Sequence, residues 1–500
     1  MREGLVQLQA RDTGRPTPQL PPSPGRDEYW PLFAGGSWSP SDHVAAVTDP
    51  DTGDLVGQVA MAGHAEAEAA LAAAVRTMEG PRWPAGERAA VLDGAAERIG
   101  DAGETFARLI AAEGIKTIRE ARKEVARAAH TLRLSAAAAL GPAEAAPPAD
   151  DRPGTAGWRG FVHRQPVGVV LAITPYNDPL NLVAHKVGPA LAAGNAVVVK
   201  PHERTPLSAL LLARALSDAG LPPGRLSVLP GDATIASSMI ADPRVRFVSF
   251  TGGRTVGARV HRTAGLKRTL MELGGICPTI LMEDTDLDLA VPALVDGAFG
   301  AAGQNCLHVQ RILVHRSLYA EARERLIEAT TLVRGGPKSR EDSEMGPLID
   351  AAALQRVSGL VNNAHDHGAI VLAGGDTDGP RYLPTLLENL PDSADLSHEE
   401  VFGPVVGLEA FDTASQAIEM ANRSGGGIQA GVFTRNLEVA ETLAAALDFG
   451  GVVIGGTSDR RSDALPFGGT GNAGHGREGV GYAAAAMAEL KTVLMVPTGP

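Results

Sequence analysis

The chain contains little cysteine, because Cys277 and Cys306 are its only thiols in 500 residues. Two cysteines cannot build a disulfide framework, so a reducing compartment is expected. No run approaches the about 18 uninterrupted apolar residues of a membrane span. The opening sequence MREGLVQLQARDTG also lacks the apolar core of a secretory signal. Together these absences predict a cytoplasmic protein that does not enter a membrane.

Basic runs are missing as well. The net charge is −13, and no dense cluster of lysine and arginine offsets it, which argues against a nucleic-acid partner. With 44% hydrophobic and 21% charged residues, the composition is that of an ordinary globular protein. At about 100–200 residues per domain, this length predicts two to four domains.

The first part of the chain changes character twice. Residues 1–27 are rich in proline and poor in large apolar groups, and we expect a mobile N-terminal extension there. Residues 65–139 are rich in alanine, with arginine and glutamate at helical spacing, which predicts three or four amphipathic helices. The segment GPAEAAPPADDRPG (141–154) has the composition of a linker.

Apolar runs of strand length then alternate with helical patterns. The predicted strands lie at 167–175, 196–201, 226–231, 245–253 and 267–275, and a second alternating series continues to residue 497. Such alternation indicates βαβ units and parallel sheets buried on both faces. The predicted fold class is α/β, with two Rossmann-like parallel-sheet lobes and a small β segment for oligomerisation.

The stretch AAGQNCLHVQ (301–310) gives one of the two cysteines an unusual setting. A structural cysteine usually packs inside an apolar strand or helix. Cys306 instead follows Gly303, Gln304 and Asn305, so a turn would present its sulfur at an open surface. A nucleophilic role and a packing role are both open on this evidence.

A nucleophilic cysteine needs a base and an oxyanion donor, and two residues are candidates. Glu272 closes an apolar strand in TLMELGG, and Asn177 closes another between Pro175 and Pro179. Ligand sites in open α/β sheets lie at the carboxyl ends of the strands. The alternatives are a solvated cap for Glu272 and a turn-forming role for Asn177.

Seven motifs in order resemble those of the aldehyde dehydrogenase superfamily, and the resemblance covers roughly residues 30–498. The motifs are ITPYN (173–177), VVKPHERTP (198–206), FTGGRTVG (250–257), MELGG (271–275), GQNC (303–306), EEVFGPV (399–405) and PFGGTGNAGHGREG (466–479). The resemblance implies that Cys306 is the nucleophile, Glu272 the general base and Asn177 the oxyanion-hole amide. The implied reaction oxidises an aldehyde to a carboxylic acid through a thiohemiacetal and a thioester on the cysteine.

The resemblance also implies a nicotinamide cofactor, although the fingerprint G-x-G-x-x-G is absent. Lys200 and Glu203 match the residues at the adenine ribose, and Glu400 and Phe402 match those near the nicotinamide. The other cofactor residues expected are Thr174, Pro175, Gly252, Gly253, Val256 and Gly274. A carboxylate at Glu203 would accept from a ribose 2′-hydroxyl and repel a 2′-phosphate, which favours NAD over NADP.

Two alternative functions remain open. Family members that transfer the acyl group to coenzyme A lack the glutamate that matches Glu272, so its presence favours hydrolysis. A catalytically idle structural homologue would not need to keep Cys306, Glu272 and Asn177 together. No metal site is expected.

The loop GTSDRRSDALPFGG (456–469) resembles branches that oxidise lactaldehyde, phosphonoacetaldehyde or glyceraldehyde phosphate. Arg460 and Arg461 are predicted to form a cationic fork for a carboxylate, phosphate or phosphonate. Weaker substrate candidates are Arg119, Arg122 and His163. The alternative for these residues is a surface or interface ion pair.

Several positions depart from the family pattern. Ile276, Gly253, Gly471 and Ala473 replace residues common at these places, which indicates a divergent branch and puts details of cofactor contact in doubt. Cys277 begins an apolar strand and is predicted to pack in the core. His308 is predicted to be a wall residue, because the family performs this chemistry without a histidine.

The resemblance sets the expected domain boundaries and assembly. Residues 28–148 and 166–274 are assigned to the NAD-binding domain, and 275–483 to the catalytic domain. Residues 149–165 and 484–500 are assigned to an oligomerisation segment. Because the segment ELKTVLMVP would leave an exposed edge strand, we expect a homodimer or homotetramer.

Overall fold

A computed structural model describes residues 29–141 and 145–497. The predicted mobile extension, residues 1–27, lies outside the described residues. Within the described part, no helix is both long and apolar enough to cross a bilayer.

The described chain opens with short strands and then a group of helices. The strands are β1 (Leu32–Ala34), β2 (Ser37–Ser39), β3 (Val44–Thr48) and β4 (Leu55–Ala60). The helices are α1 (His64–Glu79), α2 (Ala85–Asp101), α3 (Gly103–Glu113) and α4 (Ile118–Ala139), which confirms the prediction from periodicity. α4 begins at a capping box, in which the Glu120 carboxylate accepts from the Thr117 N–H and the Thr117 hydroxyl accepts from the Glu120 N–H.

Strands and helices then alternate, as the sequence predicts. In chain order they are β5 (Arg159–Pro166), β6 (Val169–Ile173), α5 (Asn181–Ala192), β7 (Ala196–Lys200), α6 (Leu207–Asp218), β8 (Leu226–Val228), α7 (Ala233–Ala241), β9 (Val245–Gly252), α8 (Arg254–Ala264) and β10 (Arg268–Leu273).

The second series begins immediately after β10. Its elements are β11 (Cys277–Leu281), α9 (Leu287–Phe299), β12 (Val309–His315), α10 (Arg316–Thr331), α11 (Ala351–Asp366), β13 (Ile370–Ala373), β14 (Thr377–Asp378), β15 (Arg381–Tyr382), β16 (Thr385–Glu388), β17 (Val405–Phe411), α12 (Ala414–Asn422), β18 (Gly427–Phe433), α13 (Leu437–Ala446), β19 (Phe449–Ile454), β20 (Gly474–His475), α14 (Val480–Ala486) and β21 (Ala488–Met495). A single 3₁₀ turn, Gly300–Gly303, follows α9.

The first sheet has the order β2-β1-β8-β7-β6-β9-β10-β20, and its five central strands, from β8 to β10, are parallel. Successive residues of β6 face opposite layers: Val170 and Ala172 pack in one apolar cluster, and Leu171 and Ile173 in the other. This alternation is why the strand is a continuous apolar run, since helices cover both faces of the sheet.

The second sheet has the order β13-β16-β17-β12-β11-β18-β19 and is parallel except at β13. Its core alternates in the same way, with Leu281 and Ile312 on one face and Ile280 and Leu313 on the other. The two Rossmann-like parallel-sheet lobes predicted from the sequence are therefore confirmed.

The end of the chain returns to the first lobe. β20 pairs antiparallel with β10, placing Gly474 opposite Glu272, and α14 packs against α4 and α5. Residues 474–487, most of which the sequence assigns to the catalytic domain (275–483), therefore complete the first sheet and its helical layer. Local patterns did not show this return because β20 is only two residues long.

A two-stranded antiparallel ribbon stands apart from both sheets. β5 pairs with β21 over eight residues, from Arg159 opposite Met495 to Pro166 opposite Ala488. The ribbon leaves large apolar side chains exposed, among them Phe161, Leu490, Val493, Leu494 and Met495. The two segments assigned to oligomerisation therefore pair with each other within one chain.

Candidate active site

Most of the predicted cofactor residues lie along one edge of the first sheet, and Glu400 and Phe402 come from the second lobe. The chain order of its parallel strands reverses between β6 and β9, and ligands bind in the crevice outside the carboxyl ends at such a switch point. Ile173 lies opposite both Lys200 and Phe250, and Leu273 lies opposite Gly252. The Thr174 N–H donates to the Lys200 carbonyl at 3.2 Å. Four strands therefore present these residues side by side.

Polar atoms at this edge are buried without partners. Among the described residues, Thr174 Oγ1, Thr251 Oγ1 and Glu400 Oε1 have no hydrogen bond. Burial raises the pKa of Glu400 to about 7. A Cβ at Gly274 would overlap the Glu400 carboxylate, so a side chain there would push Glu400 away. Unpaired buried polar groups call for a ligand or water, and this crevice fits an extended polar cofactor.

The far end of the crevice is more open. Burial lowers the pKa of Lys200, which is half-buried, whereas Glu203 and Val256 are exposed. Gly253 precedes the first turn of α8, and a Cβ there would meet no atom within 4 Å. This open helix N-terminus is suited to receiving a pyrophosphate.

An aromatic residue that sequence reasoning did not single out joins the crevice to the cysteine. The Tyr176 ring makes edge contacts with His202 and Phe402, at 5.2 and 5.8 Å between centroids. Its hydroxyl donates to Gln304 Oε1 at 3.2 Å. Tyr176 therefore connects the β6 loop, the β7 loop and the second lobe, although its role could only emerge from the assembled fold.

The turn predicted before Cys306 is present and left-handed. Ala301, Ala302 and Gly303 have φ values of 51°, 52° and 66°. The buried side chain of Gln304 holds this turn, since its Nε2 donates to the carbonyls of Ala301 and Pro347, at 3.3 and 3.1 Å. Non-glycine residues in this backbone region are strained and persist only where their surroundings enforce them.

Cys306 is half-buried, and so it is less open than its sequence context predicts. It packs against a small apolar cluster that contains Cys277, Leu307, Ile428, Phe467 and Ala473. Burial, and then the negative charge of Glu272, raise the pKa of the Cys306 thiol above its ordinary value. The thiol is not pre-ionised by its surroundings and needs a nearby base.

Cys277 and His308, which the sequence predicts to be packing residues, are both buried. The Cys277 thiol lies wholly inside, where it donates to the Cys306 carbonyl at 3.4 Å, and burial raises its pKa to about 12. Burial lowers the pKa of His308 to about 4, so its ring is neutral near pH 7. Both environments are those of packing residues.

Glu272 lies on β10 and is only 2% exposed. Its Oε1 has no hydrogen-bond partner among the described residues. Burial, followed by the charge of Glu478, raises its pKa well above the ordinary value, while Arg461 and Lys186 act in the opposite direction. A carboxylate with a raised pKa and a free oxygen is suited to general-base work.

Behind Glu272 lies a buried charge network that sequence reasoning missed. Glu478 accepts from Lys186 Nζ at 3.0 Å and from Arg461 Nη2 at 3.3 Å. Although burial opposes its ionisation, the charges of Lys186 and Arg461 lower the pKa of Glu478 to about 2. Lys186 and Glu478 are 292 residues apart in the sequence, so only the fold reveals the pair.

The predicted arginine fork does not form as a pair, because Arg460 is exposed and Arg461 is turned inward. Arg461 lies 3.7 Å over the Phe467 ring, and its charge lowers the pKa of both Cys306 and Glu272. Its Nε is 3.6 Å from Asp463, too far for a hydrogen bond, and has no other partner among the described residues. Arg461 therefore acts on the catalytic groups through its charge, and its Nε remains an unpaired donor among the described residues.

Three weaker candidates lie elsewhere. Arg119 is exposed on the first turn of α4, and His163 is exposed on β5 opposite Lys491. Arg122 forms ion pairs with Glu104 and Glu341. No contact of the described residues joins them to Cys306, and their substrate roles stay predictions.

Asn177 follows β6 and is 5% exposed. Its side-chain amide makes no hydrogen bond with any described residue, and the same holds for the Cys306 backbone N–H. Its neighbour Tyr176 contacts Gln304, two residues before the cysteine, so the two loops meet. An oxyanion hole requires such free donors, and the role of Asn177 stays a prediction.

Comparisons with known proteins agree with this geometry. Residues 38–493 match the model of the aldehyde dehydrogenase family. Aspartate-semialdehyde dehydrogenase 1 of Pseudomonas canavaninivorans is 45% identical over 82% of this chain and 88% of its own length. The 3-sulfolactaldehyde dehydrogenase of Priestia megaterium is 39% identical over 93% and 97%.

A solved structure shares the fold almost throughout. Aldehyde dehydrogenase 21 of Physcomitrella patens, crystallised with the reaction product succinate, superposes with a TM-score of 0.92 at 34% identity, covering 94% of this chain and 99% of its own. The chain therefore belongs to the aldehyde dehydrogenase family and is an oxidoreductase.

Proposed function

We propose that this protein oxidises a small anionic aldehyde to the carboxylic acid, with NAD(P) as hydride acceptor. The observation that carries the proposal is the position of Arg461, a buried cation whose charge acts on both Cys306 and Glu272. An aldehyde held over the thiol would place the anionic group at its other end near this guanidinium.

The chain's own groups account for the steps at the thiol. Glu272 takes the proton of Cys306, whose thiolate adds to the aldehyde carbon. The Asn177 amide and the Cys306 N–H stabilise the resulting oxyanion. A bound nicotinamide supplies the acceptor for the hydride that leaves the thiohemiacetal. Glu272 releases that proton to solvent and then takes a proton from the water that attacks the thioester, which releases the acid. The departing Cys306 thiolate takes up a proton, so the thiol is restored.

The residues at the sheet edge fit the cofactor. Thr174, Thr251 and Glu400 offer the unpaired polar atoms, and the N-terminus of α8 offers free N–H groups. We propose NAD rather than NADP, because the exposed carboxylate of Glu203 would repel a 2′-phosphate. Relatives of known structure include a glyceraldehyde-3-phosphate dehydrogenase of Methanocaldococcus jannaschii crystallised with NADP, so the preference has to be measured.

The relatives support an anionic substrate. Aspartate semialdehyde and 3-sulfolactaldehyde carry a carboxylate or a sulfonate, and succinate carries a second carboxylate. The structure also brings Arg127 to the loop 456–469, since Arg127 donates to Asp463 at 2.8 Å. These observations extend the predicted branch, which included phosphonoacetaldehyde and glyceraldehyde phosphate.

We also propose that two or four copies assemble through the ribbon of β5 and β21, and that the enzyme works in the cytoplasm. The exposed apolar side chains of the ribbon support the assembly, because a contiguous apolar surface marks an interface.

The test measures cofactor reduction at 340 nm with succinic semialdehyde, aspartate semialdehyde and sulfoacetaldehyde, and with butanal as the uncharged control. We expect the anionic aldehydes to be preferred by kcat/KM and Cys306→Ala to be inactive. Arg461→Met should lower the preference for succinic semialdehyde over butanal roughly 10- to 150-fold, the worth of a charged hydrogen bond. Arg460→Met, which removes the exposed neighbour, should leave the ratio unchanged.

Each alternative has its own outcome. If wild type needs added coenzyme A for turnover, the hydrolytic reaction is wrong. If neither NAD nor NADP is reduced with any aldehyde, the idle homologue is the better account. An unchanged ratio in Arg461→Met would overturn the anionic substrate alone.

A further inference from the structure

One face of α4 carries polar side chains that each contact a different part of the site. Glu120, Glu124, Arg127 and Thr131 follow at intervals of four, three and four residues, so they lie along one side of the helix. Arg127 donates to Asp463 in the substrate loop, and Thr131 donates to Asn181 of α5 at 3.0 Å. The two glutamates contact the loops that carry the catalytic groups.

Glu120 contacts the segment of the nucleophile. Its Oε1 accepts from the Ala301 N–H at 2.7 Å, and its Oε2 accepts from the Thr117 N–H at 2.8 Å. Ala301 is the first residue of the left-handed turn that leads to Cys306. The carboxylate thus fixes a strained turn to the first turn of α4.

Glu124 contacts the loop of the oxyanion donor. It is 2% exposed, and its Oε1 accepts from the N–H groups of Leu180 and Asn181, at 2.8 and 2.9 Å. Its Oε2 accepts from Lys116 Nζ at 2.8 Å, and Lys116 also pairs with Asp178, the residue after Asn177. The loop is therefore held directly after the Asn177 amide, at Asp178, Leu180 and Asn181.

We propose that Glu120 and Glu124 are positioning residues, which set the distance between the Cys306 thiol and the Asn177 amide by fixing both loops to one rigid helix. The proposal rests on the proposed function for its kinetic readout. Hydrogen bonds that a carboxylate accepts from backbone N–H groups are charge-assisted and strong, and an oxyanion hole depends on placement to within a fraction of an ångström. Of the two carboxylates, Glu124 is buried and Glu120 is partly buried. Neither glutamate touches the reacting atoms.

The chain supplies a matched control in Glu113 on α3. It is also fully buried, and it accepts from two consecutive N–H groups, those of Leu207 and Ser208 at 2.7 and 2.8 Å. These residues begin α6 rather than a catalytic loop. Glu113→Gln and Glu124→Gln therefore remove the same kind of contact at different places.

The experiment compares Glu120→Gln, Glu124→Gln, their double variant and Glu113→Gln by Tm, kcat and KM at saturating cofactor. We expect Glu124→Gln and Glu113→Gln to lower Tm alike. Of these two, Glu124→Gln should also lower kcat, by roughly 10- to 100-fold with KM unchanged, which is below the cost of about 100- to 1000-fold for losing an oxyanion donor outright. Glu120→Gln should lower kcat as well, because Glu120 is the other positioning residue. Equal losses of kcat in Glu124→Gln and Glu113→Gln would show that Glu124 stabilises the fold and does not position the catalytic groups.

The double variant tests the shared helix. If both glutamates set the same distance between the thiol and the amide, the first substitution already loosens that distance. The second substitution then lowers kcat by a smaller factor, so the two losses of kcat do not multiply. Fully multiplicative losses would overturn the proposal.

The rate of Cys306 alkylation by iodoacetamide, followed by mass spectrometry, needs no aldehyde turnover. Glu120→Gln should change this rate at least severalfold, and Glu113→Gln should not. If wild type oxidises no aldehyde while these alkylation rates differ, the proposed function fails and the positioning of Cys306 stands. If Glu120→Gln and Glu113→Gln leave the alkylation rate equal, the positioning fails.

Discussion

The two sides of the active site differ in burial and in chemistry, since Cys306 is half-buried whereas Glu272 is only 2% exposed. The cysteine side is an apolar cluster around Cys306, with Cys277 as its polar neighbour. The glutamate side sets Glu272 before an array of charges, namely Glu478, Lys186 and Arg461. Burial raises the pKa of both groups, and the charges that act on the Cys306 pKa, such as those of Glu272 and Arg461, lie on the glutamate side. A substitution on the cysteine side should therefore change the rate without moving its pH dependence. A substitution of Glu478, Lys186 or Arg461 should shift the pH dependence of the rate.

The largest effect that separates the sides is expected from Glu272→Gln. General-base catalysis contributes about 100- to 10,000-fold, so steady-state turnover should fall by that factor. The first turnover should slow as well and show no burst of reduced cofactor, because Glu272 also takes the proton of Cys306 before the thiolate adds to the aldehyde. Rapid-mixing absorbance at 340 nm measures both. A full burst of about one per site would show that Glu272 is needed only after the thioester has formed.

The next effect is expected from Asn177→Ala, which removes one oxyanion donor and leaves the Cys306 N–H. Turnover should fall about 100- to 1000-fold with little change in KM, since the contact is made in the transition state. Steady-state kinetics on an anionic aldehyde measures the loss. A rise in KM at constant kcat would instead make Asn177 a ground-state contact.

A smaller effect concerns pH. The base must be ionised, and the pKa of Glu272 is raised, so kcat should increase with pH and reach its plateau well above the range of an ordinary glutamate. Glu478→Gln removes the negative charge that raises this pKa and leaves Lys186 and Arg461 to lower it. The rising limb should therefore move to lower pH. The measurement is kcat of wild type and Glu478→Gln from pH 5 to 10. A shift of the rising limb to higher pH would show that Glu478 does not raise the pKa of Glu272.

The smallest effect is expected from Cys277→Ser. The hydroxyl can still donate to the Cys306 carbonyl, while the apolar cluster loses a sulfur. We expect a loss of about 1 kcal/mol in the free energy of unfolding and kcat close to wild type. Urea denaturation and the 340 nm assay measure the two. A large loss of kcat would place Cys277 in the chemistry.

Much of the fold could be predicted from the sequence, and so could the places of the candidate catalytic residues in it. The alternation of apolar runs and helical spacing shows where parallel strands end, and Glu272 and Asn177 stand at those ends. The strands β1 to β4 were missed because they are short and weakly patterned, with only three residues in β1 and β2.

The pairing of buried charges could not be predicted. Lys186 lies in an otherwise apolar helix, and Arg127 lies in a helix whose charges all look solvent-facing from spacing alone. Which cation meets which carboxylate depends on contacts across about 300 residues. For the same reason, the sequence RRSD (460–463) does not show that the Arg461 side chain is buried while the Arg460 side chain is exposed.

The strand β20 has a consequence for how the protein is made. Strand β10 is at the edge of the parallel sheet until β20 covers it, and roughly 200 residues separate Leu273 from Gly474. At about 5–20 residues per second, the growing polypeptide exposes that edge for about 10 to 40 s before its cover leaves the ribosome. An unpaired strand edge is a template for aggregation, so premature termination before residue 474 yields a nascent chain that depends on chaperones.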